Sequence, residues 1–179
     1  MVALYALQRL QLDWVWWLVS PQNPLKDTKV TGEYSARFAF TKKIAKHPRF
    51  IMTDIEKQIH SRNTSQTLGT MAHGLRQAHF VWIMGADSFR DLNHWKHWSR
   101  IVETLPLAVL ARPGYSMRAL GSQAANRYAK FRVPNEQAGV LAKRSAPAWV
   151  FISMPLRKES STAIRTSDIR HKSKEGLRP

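Results

Sequence analysis

"FVWIMGADSF", Phe80 to Phe89, sets five apolar residues directly before a glycine, an alanine and an aspartate. Five residues containing Val, Ile and two aromatics are too few for a helix. As an unbroken apolar run they suit a strand buried on both faces, as strands of parallel sheets are. A glycine at the end of such a strand lets a ligand come close to the backbone. Asp87 then has two readings: an acceptor for a ribose hydroxyl, or the cap of a helix beginning near Ser88.

The same grammar recurs along the chain. "VWWLV" (Val15 to Val19), "RFIMTDI" (Arg49 to Ile55), "LAVLA" (Leu107 to Ala111) and "WVFIS" (Trp149 to Ser153) are short apolar runs bounded by polar residues, Pro or Gly. Helical patterns alternate with them. Ala3, Ala6, Leu7 and Leu10 form one apolar face, and Glu33 to Lys46, Ser65 to Gln77, Ser116 to Ala129 and Ser161 to His171 are further helices. Strand and helix in alternation specify an α/β fold: a mainly parallel, doubly wound, Rossmann-like sheet with helices on both faces. With neither an internal repeat nor a low-complexity linker, residues 1–179 read as a single domain.

Composition narrows the function classes. Of the 179 residues 44% are hydrophobic and 22% charged, as in ordinary globular proteins. No apolar run reaches the length of about 18 residues that a membrane span needs. The start lacks the basic-then-apolar pattern of a secretory signal. The absence of cysteine excludes disulfides, thiolate zinc sites and a cysteine nucleophile, and fits the cytoplasm. Lys and Arg number 28 against 12 Asp and Glu, a net charge of +16, so the expected partner is a polyanion. The basic residues are scattered except after Pro155, and no helix-turn-helix, zinc-finger or RRM pattern occurs.

Ligands of open α/β sheets bind beyond the carboxyl ends of the strands. The loops there are "SPQNPLK", "GADSF", "RPGY" and "PLRKESSTAIR". In the last, Ser160, Ser161 and Thr162 precede Arg165 by one helical turn. One hydroxyl suffices to cap a helix; three with an arginine also suit a phosphate at a helix N-terminus. Trp95, amid His94, Lys96 and His97, is either a stacking platform for a flat heteroaromatic ring or a loop anchor on the core. His94 and His97 lack a third ligand nearby, so a zinc site is not expected. P-loop, G-x-G-x-x-G and G-x-S-x-G motifs are absent.

In order and spacing, "VWWLVSPQNPLK", "FVWIMGADSF" with Trp95 beyond it, "VLARPGY" and "SSTAIR" resemble bacterial nicotinate-nucleotide adenylyltransferase, within the nucleotidyltransferase superfamily. The resemblance runs over essentially the whole chain. It implies adenylyl transfer from ATP, with its Mg²⁺, to nicotinate mononucleotide, giving deamido-NAD and pyrophosphate in NAD biosynthesis. By motif match, Ser160, Ser161, Thr162 and Arg165 would hold the ATP phosphates, and Arg112 would lie on the ATP side. Gly85, Ala86 and Asp87 would line the mononucleotide, Thr64 would sit near the nicotinate carboxylate, and Trp95 would stack on the pyridine. Asn63 stands where the family usually has an aromatic residue.

The family also opens with a strand and a loop ending in His-x-Gly-His, a motif found nowhere in these 179 residues, so no catalytic residue is assigned. The resemblance places Met1 in the body of the first helix. The expectation is a miscalled start or a fragment, inactive as it stands, with the first strand missing and its two neighbours either exposing open edges or closing up. Three alternatives stay open: an adenylyltransferase of phosphopantetheine type, an inactive truncated paralogue, and a basic nucleic-acid-binding module. The expected partners are small molecules rather than nucleic acid or membrane.

Overall fold

A computed structural model describes residues 2–20, 33–61, 63–75 and 77–154. Its first helix shows how the sequence sets an element. Helix α1 (Val2–Arg9) buries Ala6 and Leu7, with Leu10 just beyond, which is the expected apolar stripe. It stops at Gln11, whose φ of 52° is left-handed. There the Leu12 N–H donates to the Leu7 carbonyl at 3.0 Å and the Gln11 N–H to that of Gln8 at 3.3 Å. This paired closure satisfies carbonyls the helix end would otherwise leave free.

Strand β1 (Val15–Leu18) is joined through α2 (Tyr34–Ile44) to β2 (Phe50–Thr53), and the two strands pair in parallel. Helices α3 (Ile55–Gln58) and α4 (Thr64–Gly74) lead to β3 (Trp82–Gly85). Then come α5 (Ala86–Arg90), a 3-10 turn at Leu92–His94, α6 (Trp98–Thr104) and β4 (Leu107–Leu110). Helices α7 (Ser116–Leu120) and α8 (Gln123–Arg127) precede β5 (Arg132–Val133), and a 3-10 segment, Asn135–Lys143, precedes β6 (Trp149–Ile152).

Strands β3, β4, β6 and β5 form one parallel sheet in that order. Its two central strands are buried at every residue, and their side chains divide between two cores. Leu107, Val109, Trp149 and Phe151 pack on one face with Phe89, Ile101 and Tyr128. Ala108, Leu110, Val150 and Ile152 pack on the other with Ala6, Leu10 and Leu141. The strand period of two thus feeds both layers, as unbroken apolar runs require.

The structure departs from the sequence reading at several elements: α3, which begins at Ile55 where a strand was expected to end, and α6 are not in it. The helix expected over Ser116 to Ala129 is two helices, because the Ser122 hydroxyl accepts the Ala125 N–H at 3.3 Å and starts a new one after Gly121. Strand β5 is only two residues long, too short for a pattern to reveal. The sheet is divided, with β1 and β2 in a sheet of their own, which is one of the two outcomes expected for a missing first strand.

The division lies between β1 and β3. Val15 and Val19 donate their N–H groups toward β2, to Arg49 and Thr53, at 2.9 and 3.3 Å. In the alternation of a parallel ladder, Trp16 and Leu18 therefore turn theirs away from β2. Trp82 donates to Pro106 at 2.8 Å, on the β4 side, so Val81 and Ile83 face the other way. Both edges border one cavity of about 1020 Å³, with Leu68 and Met71 in its wall. The buried indole N–H groups of Trp17 and Trp82, which also line it, have no partner among the described residues. Among the described residues the two strands expose open edges; they have not closed up.

Tyr128 ties the covering helices to the sheet. Its hydroxyl donates to Glu103 at 2.6 Å and its carbonyl accepts the Trp149 indole N–H at 2.8 Å. Burial first, and then the Glu103 carboxylate, push its phenol up to about 12. Tyr128→Phe should therefore cost about 1–2 kcal/mol in denaturant titrations near neutral pH. In the parent this share of stability is complete below the unfolded phenol's pKa of about 10 and disappears as pH rises through about 12. The Phe variant should show no corresponding loss in that window.

Candidate active site

The ladder register brings Gly85, Leu110 and Ile152 level, at the carboxyl ends of three adjacent strands. The loops leaving these strands therefore emerge at one end of the sheet. After β3, Gly85 leads into α5 with an extended backbone, φ −77° and ψ 156°. A Cβ at Gly85 would collide with Asp87 Oδ1 and sit 3.5 Å from Arg112 Cδ. The glycine is what lets these two side chains close over the strand end.

After β4, Arg112 opens a tight turn. The Tyr115 N–H donates to its carbonyl at 3.2 Å, with Pro113 and Gly114 between. Gly114 has φ +75°, the left-handed value required at the third position of a type II turn, and proline suits the second. The Arg112 guanidinium then reaches across to donate to Asp87 Oδ2 at 2.6 Å. Helix α5 begins at Ala86, so Asp87 lies within its first turn instead of capping it. Of its two readings in the sequence, the cap is the one overturned. Both partners are substantially exposed, at 49% for Arg112 and 31% for Asp87, so the pair adds little stability and remains open to a ligand.

The other expected residues are distributed around this centre. Ala86 is fully buried in the core, which leaves only its backbone to face a ligand. Thr64 is the first residue of α4, behind Asn63. Asn63 is the helix cap: its Oδ1 accepts the Gln66 N–H at 3.1 Å and the Ser65 hydroxyl at 2.7 Å. Trp95 follows the 3-10 turn, half-buried, with part of its ring against the core cluster that includes Leu92. Ser160, Ser161, Thr162 and Arg165, with the helix expected over Ser161 to His171, lie outside the described residues. The geometry thus brings Gly85, Asp87 and Arg112 together, and holds Thr64 and Trp95 on separate elements.

Two neighbours were not singled out in the sequence. Arg90, three residues after Asp87 on α5, holds its guanidinium 5.1 Å from the centre of the Tyr115 ring. Arg90 also donates to both oxygens of Asp91, at 2.7 and 2.5 Å, and these bonds draw the Asp91 carboxyl below its ordinary range. The i, i+3 spacing from Asp87 was the available signal. Among the described residues no group of three or more His, Asp or Glu could hold a metal ion. No described helix is long and apolar enough to cross a membrane.

The carboxyl edge of a parallel sheet is where open α/β proteins bind their ligands, and here the Asp87–Arg112 pair stands over it. The chain matches the cytidylyltransferase-like family over residues 1–172. It is 43% identical over 160 residues to a probable nicotinate-nucleotide adenylyltransferase of Ruegeria sp. (strain TM1040), covering 89% of this chain and 84% of the relative. Proteins of the same name from Rhizobium meliloti and Methylorubrum extorquens are 42% and 44% identical, covering 93% and 92% of this chain and 89% of each relative. The chain belongs to the nicotinate-nucleotide adenylyltransferase family. The fold agrees with a solved structure of Plasmodium falciparum nicotinic acid mononucleotide adenylyltransferase complexed with NaAD. That match has a TM-score of 0.60 and 16% identity, and covers 87% of this chain and 69% of the other. A second structure of the Plasmodium enzyme, complexed with APC, matches at the same TM-score with 15% identity, covering 90% of this chain and 76% of that one.

The close approach at Gly85 predicts a specific coupling. Gly85→Ala should cost under about 1 kcal/mol, the worth of the exposed ion pair it displaces. In an Asp87→Ala background the same substitution should cost nothing measurable. Equal losses in both backgrounds, measured by chemical denaturation, would place the clash on the backbone.

Proposed function

We propose that this protein transfers the adenylyl group of ATP to nicotinate mononucleotide, giving deamido-NAD and pyrophosphate. The observation that carries the reading is the Asp87–Arg112 pair over Gly85 at the strand ends, in a chain 42–44% identical to adenylyltransferases so named. In this reading Arg112 meets the ATP side, while Gly85, the Ala86 backbone and Asp87 border the mononucleotide. Thr64 receives the nicotinate carboxylate and Trp95 the pyridine ring. Ser160, Ser161, Thr162 and Arg165 take the ATP phosphates. Mg²⁺ enters as part of the substrate ATP. The reaction is placed in the cytoplasm, a setting that suits a chain without cysteine.

The chemistry asks for positioning more than for proton transfer. The attacking phosphate is already an anion near neutral pH. One of its oxygens forms a bond to the α-phosphorus, the α–β bridging bond breaks, and pyrophosphate leaves with the electron pair. Alignment in line and positive charge on the leaving group lower the barrier. Arginine is the side chain suited to that charge, because its planar fork matches phosphate oxygens.

Binding tests the reading directly. Calorimetry should show saturable binding of nicotinate mononucleotide and of α,β-methylene-ATP. Trp95→Ala should weaken the mononucleotide by about 5- to 150-fold, the worth of one stacked ring, and leave the ATP analogue nearly unchanged. Equal weakening of both ligands would reduce Trp95 to a core anchor. Failure to bind either nucleotide, together with salt-steep binding of duplex or single-stranded nucleic acid, would favour the basic-module alternative.

A further inference from the structure

We infer that Arg90 is a positioning residue for Arg112, acting through Tyr115, an inference that rests on the placement of Arg112 on the ATP side. The tight turn has two ends, and α5 holds both. Asp87, in the first turn of the helix, accepts from Arg112 at the turn's first position. Arg90, at the helix's last residue, stacks on Tyr115 at the turn's fourth position. Asp87 and Arg90 are three apart and so share a helix face. The two grips are not equivalent. The Asp87 grip is one hydrogen bond from Arg112 Nη1, on the same guanidinium that a phosphate would use, so an arriving nucleotide competes with Asp87 for it. Where the nucleotide wins, the turn loses one of its two attachments.

The Arg90 grip does not depend on that exchange. Asp91 fixes the Arg90 guanidinium with two hydrogen bonds, at 2.7 and 2.5 Å, and so holds it over the tyrosine ring, 5.1 Å from its centre. With Tyr115 held, its N–H keeps the Arg112 carbonyl at 3.2 Å, and the Ser116 hydroxyl donates to the same carbonyl at 3.3 Å. The backbone of Arg112 therefore stays in place while its side chain changes partner. Arg90 touches no substrate; it preserves the aim of the residue that does.

The test uses the full chain, with α,β-methylene-ATP and nicotinate mononucleotide as probes. Arg90→Ala should weaken the ATP analogue by roughly 2- to 5-fold, the scale of one exposed cation–π contact. Mononucleotide affinity and melting temperature should hold. Tyr115→Leu should match it, Tyr115→Phe should behave as the parent, and the Arg90→Ala/Tyr115→Leu double variant should lose no more than either single one. Arg90→Lys should recover only part, since a lysine cannot make the two-pronged bond to Asp91. In an Arg112→Ala background Arg90→Ala should have no further effect on ATP; a loss that persists there would overturn the inference. The backbone amide resonance of Gly114 supplies a ligand-free readout. If Arg112→Ala leaves ATP affinity unchanged while Arg90→Ala still shifts that resonance, the grip stands and the placement of Arg112 falls. If Arg112→Ala weakens ATP but Arg90→Ala changes neither affinity nor resonance, the placement stands and the grip falls.

Discussion

The parallel ladder through β4 is the constraint on which the rest depends. Its register sets Gly85, Leu110 and Ile152 side by side, and only that alignment allows Asp87 and Arg112, 25 positions apart in the chain, to meet. The register is held from both faces. A one-residue slip of β4 would send its side chains to the opposite cores and force Leu107 or Val109 into the space now held by Ala108. The cores on either side therefore protect the geometry of the strand ends. They also reach the last of them directly: the Tyr5 hydroxyl on α1 donates to the Ser153 carbonyl at 2.9 Å, where the chain leaves β6.

The site shows a division between fixed and exchangeable contacts. The fixed ones belong to the backbone: the extended Gly85, the left-handed Gly114 and the turn closed by Tyr115. The exchangeable one is the exposed ion pair. An exposed pair is worth about 0–1 kcal/mol, so opening it costs little. A site arranged in this way can be closed without ligand and still yield to one.

The strands were legible because burial on both faces writes an unbroken apolar run into the sequence, as in "LAVLA" and "WVFIS". Helix α1 was legible for the matching reason, a stripe at helical spacing. What failed to show were features settled by single atoms. Ser122 ends one helix and begins another through one hydroxyl, and β5 has too few residues for any period. Gly85 and Asp87 could be marked as candidates from strand–loop positions, and Arg112 from the family resemblance. That Asp87 would accept from Arg112 could not, since their meeting depends on the register and on a distant turn closed by Tyr115. Arg90 and Tyr115 were hidden by the same dependence. Asn63 carried a different lesson: where the family usually has a ring, this chain has a cap, and its amide oxygen is occupied by Gln66 and Ser65.

The divided sheet gives the charge of the molecule a second meaning. Among the described residues, two open strand edges border an apolar cavity, and such edges are adhesive to any extended backbone, including that of another copy. Each copy also carries a net +16, so close approach of two edges brings strongly like-charged surfaces together. That repulsion reaches only as far as the ionic atmosphere permits, about 8 Å at physiological salt and about 3 Å at 1 M. Contact between these described edges is thereby tied to ionic strength, independently of any nucleotide at the strand ends.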